Sequence, residues 1–182
     1  MTIKSIEYGL PVNVLNRVGE TVLDAFDGVL DDLSIETQGQ MLINHPVDAR
    51  TLLLGVSNTN NEYKVGIVAS DLTLGGAQTE WGYEFAYNGA PGVVVSTSRL
   101  DPESYGQQPN TGLLTRRTSI EAVHGLGHNF GLVHHSPRET RNGYLCPMSV
   151  AKSNNWYEYL LQIIDRRDLQ LCAPCYRAIS RN

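Results

Sequence analysis

The spacing of apolar residues predicts one amphipathic helix near the start of the chain. Residues 2–8 alternate in a strand-like way. Between residues 14 and 33 the apolar positions then recur at steps of three and four, as on one face of a helix. These positions are Leu15, Val18, Val22, Phe26, Val29 and Leu33. We therefore expect a strand followed by a helix that packs on the core.

Short apolar runs bounded by turn-forming residues predict the strands of a sheet. The runs cover residues 52–56, 65–70, 83–87 and 93–98. Residues 101–114 are rich in Pro, Gly, Gln and Asn and are expected to form a surface loop. A second helix is predicted to begin near residues 115–118 and to end around Gly131, and a less regular tail follows.

Composition and charge narrow the classes of function. The chain has 182 residues, of which 41% are apolar and 18% charged, as in an ordinary soluble protein of one domain or one domain split by a cleft. Its net charge of −5 offers no basic surface for nucleic acid or anionic lipid. No stretch approaches a membrane span, and residues 1–5 do not begin a signal peptide, so we expect a cytoplasmic protein.

The cysteines and histidines are concentrated near the end of the chain. All three Cys and four of the five His lie after residue 123. In the cytoplasm, an odd number of cysteines that includes a C-x-x-C pair is more typical of a metal site than of stable disulfides.

A helical pair of histidines begins this group. His124 and His128 are four residues apart, which places their side chains on one face of the second predicted helix. Gly131 can end the helix in a left-handed conformation and let the chain turn back, so that His134 joins the pair. Three protein ligands leave the fourth position of zinc open to water, as in a catalytic site.

The segment resembles the metzincin zinc-peptidase signature, H-E-x-x-H-x-x-G-x-x-H followed by a methionine turn. Within that clan it is similar to the archaemetzincin family, whose third histidine is followed by a Cys, a C-x-M and a C-x-x-C. Cys146-Pro147-Met148 matches the C-x-M, and residues 172–175 match the C-x-x-C. The resemblance covers residues 65–176.

The resemblance implies a fold and two zinc ions. The expected fold is α/β (α+β) and metzincin-like: a twisted mixed sheet, two main helices and a small C-terminal part stapled by zinc. Residues 1–131 would form the N-terminal subdomain and residues 132–182 the C-terminal one. The resemblance also places Met148 in a turn beneath the catalytic zinc, as an apolar floor to the three histidines.

The second zinc would have a closed set of four ligands. They are His135, Cys146, Cys172 and Cys175. Adjacent residues of an extended segment point to opposite sides, so His134 can face one metal and His135 the other. Two alternatives stay open: a disulfide or redox pair between Cys172 and Cys175, or plain unmetallated thiols.

This sequence departs from the family at the residue most needed for turnover. Gly125 stands where the family has its general-base glutamate, and it can neither accept nor deliver a proton. Glu121 is a weak substitute, because helical side chains tilt toward the N-terminus and away from the metal. Other carboxylates that spacing cannot choose between are Glu80, Glu84 and Glu158. The sequence offers no folding benefit for Gly125.

Two hypotheses of function follow. The first is a zinc metallopeptidase of archaemetzincin type, in which a peptide or protein substrate pairs with a strand near residues 83–98 at the edge of the cleft. The second is a catalytically silent pseudoprotease that keeps the zinc sites and binds peptides or a protein partner. A third, purely architectural metals, is disfavoured because a three-ligand site leaves an open position.

Overall fold

The computed structural model describes residues 1–5, 10–37, 47–57, 62–74, 77–82, 84–86, 91–151, 153 and 155–180. The described strands are β1 (Thr2–Ser5), β2 (Ser34–Thr37), β3 (Val47–Asp48), β4 (Lys64–Val68), β5 (Leu72–Leu74), β6 (Ala77–Gly82), β7 (Glu84–Ala86) and β8 (Val93–Ser96). The helices are α1 (Val12–Ala25), α2 (Ala49–Ser57), α3 (Thr111–Asn129), α4 (Trp156–Gln162) and α5 (Ala173–Ile179). His45 lies outside the described residues.

The main sheet is mixed. Its strand order is β2-β1-β4-β8-β7, with β7 antiparallel to β8 and the other neighbours parallel. A second sheet has the order β3-β5-β6. The mixed sheet confirms the predicted α/β class, and it places β7 at one edge beside the buried strand β8.

The core lies between the main sheet and the two long helices. Helix α1 buries its predicted apolar stripe, and Phe26 just beyond its end stacks on Phe130 with 5.2 Å between ring centroids. The amphipathic helix is therefore confirmed, but it ends at Ala25, and Val29 and Leu33 pack on the core from the following turn and loop. Helix α3 is the second of the two predicted helices and runs beneath β8 and β7.

Several predicted boundaries are wrong. Residues 52–56 belong to helix α2, not to a strand, because a short apolar run alone does not distinguish the two. Leu52, Leu53 and Val56 are buried while Leu54 is 71% exposed, which is a helical pattern. The predicted loop contains a 3₁₀ turn over Pro102–Tyr105, and α3 begins at Thr111.

The start of α3 and the tail differ from expectation for local reasons. The Asn110 side chain accepts a hydrogen bond from the Leu113 amide at 2.9 Å and so caps the helix four residues before the predicted start. The tail contains α4 and α5, whose seven residues each are too few to show a clear period. The predicted strands over 65–70, 83–87 and 93–98 are confirmed as β4, β7 and β8, within the residues described there.

Two further predictions concern the chain as a whole. Among the described residues, no helix is both long and apolar enough to cross a membrane. The division into residues 1–131 and 132–182 stays a prediction.

Candidate metal centres

Helix α3 and the turn after it bring three histidines together. His124 and His128 lie one turn apart near the end of the helix, and Gly131 has a φ of 82°. The Leu132 amide donates to the Gly127 carbonyl at 2.9 Å, which closes the helix and reverses the chain. His134 follows two residues later and returns to the pair.

The three Nε2 atoms form a compact triangle. The separations are 3.2 Å between His124 and His128, 2.9 Å between His128 and His134, and 3.1 Å between His134 and His124. Nitrogen ligands about 2.0–2.1 Å from a tetrahedral zinc lie about 3.3 Å apart, so the triangle has the size of one face of such a site.

The chemistry of these atoms fits a cation. The Nδ1 atoms of His124 and His128 contact the carbonyl oxygens of Pro147 at 2.8 Å and Leu132 at 2.9 Å. Carbonyls only accept, so both protons sit on Nδ1 and the two Nε2 atoms face each other as lone pairs. Burial, joined by the nearby Arg167, lowers the pKa of all three histidines and favours neutral rings. A shared metal ion would satisfy the converging lone pairs.

The tripod is closed on one side and open on the other. His124 is 5% exposed, His128 is half-buried and His134 is exposed. Three imidazole ligands with one solvent-facing side leave room for a water or substrate oxygen as a fourth ligand.

Met148 lies against the helix between the first two histidines. It is fully buried, and a Cβ atom at position 127 would lie 2.5 Å from its Sδ atom. Gly127 therefore allows the methionine turn to approach the helix closely. The carbonyl of Pro147 in the same turn orients His124.

The structure also brings the four residues of the second predicted site together. Their ligand atoms all lie within 4.8 Å of one another. The Sγ atoms of Cys146 and Cys175 are 4.0 Å apart, and Nε2 of His135 is 3.8 Å from Sγ of Cys172. Thiolates on one tetrahedral zinc are about 3.8 Å apart, so this cluster matches a closed three-sulfur, one-nitrogen site.

All three cysteines are buried and none forms a disulfide. Cys172 directly precedes α5 and Cys175 lies in its first turn, so the start of the helix brings both thiols to Cys146. Donation from the Cys175 thiol, aided by the Cys172 amide at 3.4 Å, lowers the pKa of Cys146 to about 5. The same contact raises the pKa of Cys175. An ionised Cys146 is a ready metal ligand.

Glu121 is held by an arginine of the tail. Its Oε1 accepts from Nη1 of Arg167 at 2.8 Å, and both side chains are buried. Arg167 also donates to the Ser149 carbonyl at 2.8 Å and to the Tyr159 hydroxyl at 3.0 Å. Burial raises the pKa of Glu121, and Arg167 opposes that rise. Glu121 therefore anchors the methionine turn to α3. Sequence reasoning missed Arg167, because a single arginine in an irregular tail carries no signal.

Among the other candidate carboxylates, Glu84 lies at the tripod. Its Oε1 atom is 3.7 Å from Nε2 of His124, and its side chain is 13% exposed. Burial, and then the neighbouring Glu121 carboxylate, raise the pKa of Glu84 to about 8, against the effect of Arg167. Glu158 lies in the first turn of α4, where its carboxylate accepts from Gln162 and Ser153. The side chain of Glu80 lies outside the described residues.

Gly125 has a packing role that its sequence context did not show. A Cβ atom there would lie 2.5 Å from Cγ1 of Val93 and 2.6 Å from Oε2 of Glu84. The expectation of no folding benefit is therefore wrong, because the absent side chain lets β8 and the Glu84 carboxylate approach α3.

No family model matches the chain, but curated relatives and solved structures do. The archaemetzincin of Pyrococcus furiosus is 38% identical over 90 residues, 47% of this chain and 46% of that protein. The solved archaemetzincin of Methanopyrus kandleri superposes with a TM-score of 0.70 at 25% identity, covering 100% of this chain and 94% of that one. A solved zinc-dependent peptidase from Methanocorpusculum labreanum shares the fold, with a TM-score of 0.73, 20% identity and coverage of 98% and 100%.

The mixed sheet, the long helix beneath it and these superpositions define the chain as an α/β protein with a metzincin-like fold. The matched segment spans about half the length of the curated relatives. The chain belongs to the archaemetzincin family.

Proposed function

We propose that the protein is a zinc-dependent metallopeptidase of archaemetzincin type that hydrolyses peptide bonds. The observation that carries this proposal is the triangle of three neutral imidazoles with one side open to solvent. Structural zinc sites have four protein ligands and no open position. A hydrolytic zinc needs an open ligand position for water or the substrate carbonyl.

Two ions are part of the proposal. His124, His128 and His134 would hold the catalytic zinc. The second zinc would be held by His135, Cys146, Cys172 and Cys175 and would join α5 to the methionine turn. When bound at the open site, zinc polarises the scissile carbonyl and lowers the pKa of water.

The edge strand β7 would position the substrate. Among the described strands, only β8 pairs with β7, so the other edge of β7 can accept an extended peptide as a further strand. The first residue of β7 is Glu84, which lies beside His124. A peptide paired with β7 would therefore run past the histidine tripod.

A pseudoprotease is the second candidate, and Gly125 is the observation that favours it. A chain without the family's general base could keep its zinc ions and its peptide-binding edge while binding a peptide or protein partner without turnover. The two candidates differ in hydrolysis, not in zinc content or peptide affinity.

The test measures zinc and hydrolysis together. We expect two zinc ions per chain by elemental analysis, and cleavage of an unbiased peptide mixture detected by mass spectrometry. His134→Ala should lose cleavage and one zinc ion, whereas Val133→Ala, at an adjacent residue that is 67% exposed, should keep both.

Fewer than two ions in the parent chain would contradict the two-site proposal. Full zinc with no cleavage, but retained peptide binding, would favour the pseudoprotease.

A further inference from the structure

One carboxylate outside helix α3 occupies the space of the missing glutamate side chain. Glu84 extends from the edge strand β7 toward the helix, and its Oε2 atom lies 2.6 Å from where a Cβ of residue 125 would be. The same Cβ would lie 2.5 Å from Cγ1 of Val93, so a side chain at position 125 would require both Val93 and Glu84 to shift. Gly125 and Glu84 are therefore two parts of one arrangement.

One oxygen of the buried Glu84 carboxylate also lacks a hydrogen-bond partner among the described residues. Its Oε2 atom is buried and accepts no hydrogen bond from any described residue. Its Oε1 atom is 3.7 Å from Nε2 of His124, the atom that faces the metal position. Buried polar atoms are almost always paired, so an unpaired carboxylate oxygen beside the tripod indicates a partner that binds there, such as a water molecule.

We propose that Glu84 is the general base of the hydrolysis, reaching the catalytic position from the edge strand through the gap left by Gly125. This inference rests on the proposed peptidase function. Glu84 acts in its ionised form: the water gives one proton to the carboxylate as the water oxygen bonds to the carbonyl carbon. The carbon–nitrogen bond then breaks, and Glu84 passes the proton to the leaving amine. The net reaction adds one water to one peptide bond and returns Glu84 to its starting form.

Glu121 does not compete for this role. Its carboxylate is bound by Arg167 in a buried ion pair at 2.8 Å, which removes it as a free proton acceptor. Glu84 differs in having an unpaired oxygen and in lying on the strand beside which the substrate would pair.

The first experiment removes the base but keeps its shape. Glu84→Gln should lower kcat about 10²- to 10⁴-fold with little change in KM, the usual effect of losing a general base. Zinc content should be unchanged. Glu20→Gln, on the exposed face of α1, is the matched control and should keep full activity.

The possible results separate the role of Glu84 from the proposed peptidase function. Full activity in Glu84→Gln would overturn the role of Glu84 while leaving the peptidase proposal in place. Loss of zinc in this variant would also overturn it, because Glu84 would then be a metal ligand. A zinc-loaded parent that cleaves no peptide would overturn the proposed function itself, and the base role with it.

The second experiment does not depend on activity. Gly125→Ala should lower the midpoint of thermal unfolding of the zinc-free chain, and it should do so less in a Glu84→Ala background. We expect the two decreases to differ by about 2–4 °C. Gly55→Ala, at an exposed helical glycine with open space around it, controls for helix propensity and should not lower the midpoint. Equal decreases in both backgrounds would contradict the shared space.

Discussion

The two His/Cys clusters are built on neighbouring residues but differ in nearly every physical property. The first has three imidazoles, one buried and one exposed, and is open on one side. The second has three buried thiols and a half-buried imidazole and surrounds its centre. His134 and His135 supply one ligand to each. The chain thus separates a site suited to chemistry from a site suited to holding the fold.

The two clusters also differ in how they are connected to the rest of the fold. In the open cluster, the Pro147 and Leu132 carbonyls accept hydrogen bonds from two of the imidazole rings and so fix their orientation. The closed cluster is itself the connection between α5 and the turn at Cys146. Perturbing the first should change reactivity, and perturbing the second should change stability.

The largest effect should come from the arginine that supports the segment between the clusters. Arg167→Met leaves Glu121 buried without its partner and the Ser149 carbonyl without its donor. We expect the free energy of unfolding to fall by about 3–5 kcal/mol, measured by urea denaturation. Arg166→Met, at the adjacent exposed position, should change it little. A small effect of Arg167→Met would show that the turn is held without the ion pair.

The closed cluster should contribute stability through its metal. With zinc present, Cys172→Ser should lower the free energy of unfolding by about 3–4 kcal/mol, because the native state loses a tightly bound ligand. After treatment with a chelator, parent and variant should unfold at nearly the same urea concentration. A difference that persists without metal would assign the effect to packing of the buried thiol.

A smaller loss should follow from crowding the methionine turn. Gly127→Ala places a carbon 2.5 Å from Sδ of Met148, and such overpacking costs about 1–3 kcal/mol. The better helix propensity of Ala offsets part of this. Gly55→Ala has the same propensity gain with no neighbour within 4 Å and should stabilise the chain. Equal results at both positions would indicate that Met148 moves aside freely.

The smallest effect on stability should belong to the open cluster. His134 is exposed, so His134→Ala measured without metal should change the free energy of unfolding by about 0.5 kcal/mol or less. Circular dichroism during urea denaturation is the measurement. A loss comparable with that of Cys172→Ser in zinc would remove the contrast between the two clusters.

The sequence predicted the parts of the fold that depend on local spacing. The period of three and four in α1 and the turn at Gly131 need only a few neighbouring residues to be recognised. Spacing also grouped His124, His128 and His134, whereas the family resemblance, not local spacing, pointed to Cys146, Cys172 and Cys175. Helix α2 was mistaken for a strand because its apolar run is short and its type is decided by packing against β4 and β8.

Local spacing does not predict contacts between residues that lie far apart in the sequence. Glu84 lies 41 positions before Gly125, and the two meet only because β7 pairs with β8 and both strands cross α3. Glu121 and Arg167 are 46 positions apart and meet across the methionine turn. No spacing rule links such residues, so the carboxylate nearest the tripod could be named only as one of several.

The peptide bond between His134 and His135 would make the two proposed metal sites thermodynamically dependent on each other. An ion in one cluster restricts the backbone that presents a ligand to the other, and this coupling must be equal in both directions. Zinc bound by the cysteines would therefore change the affinity of the histidines by the same factor as the reverse. Replacing a ligand of one cluster should therefore change the zinc affinity of the other, which a zinc titration of His134→Ala and Cys172→Ser would measure.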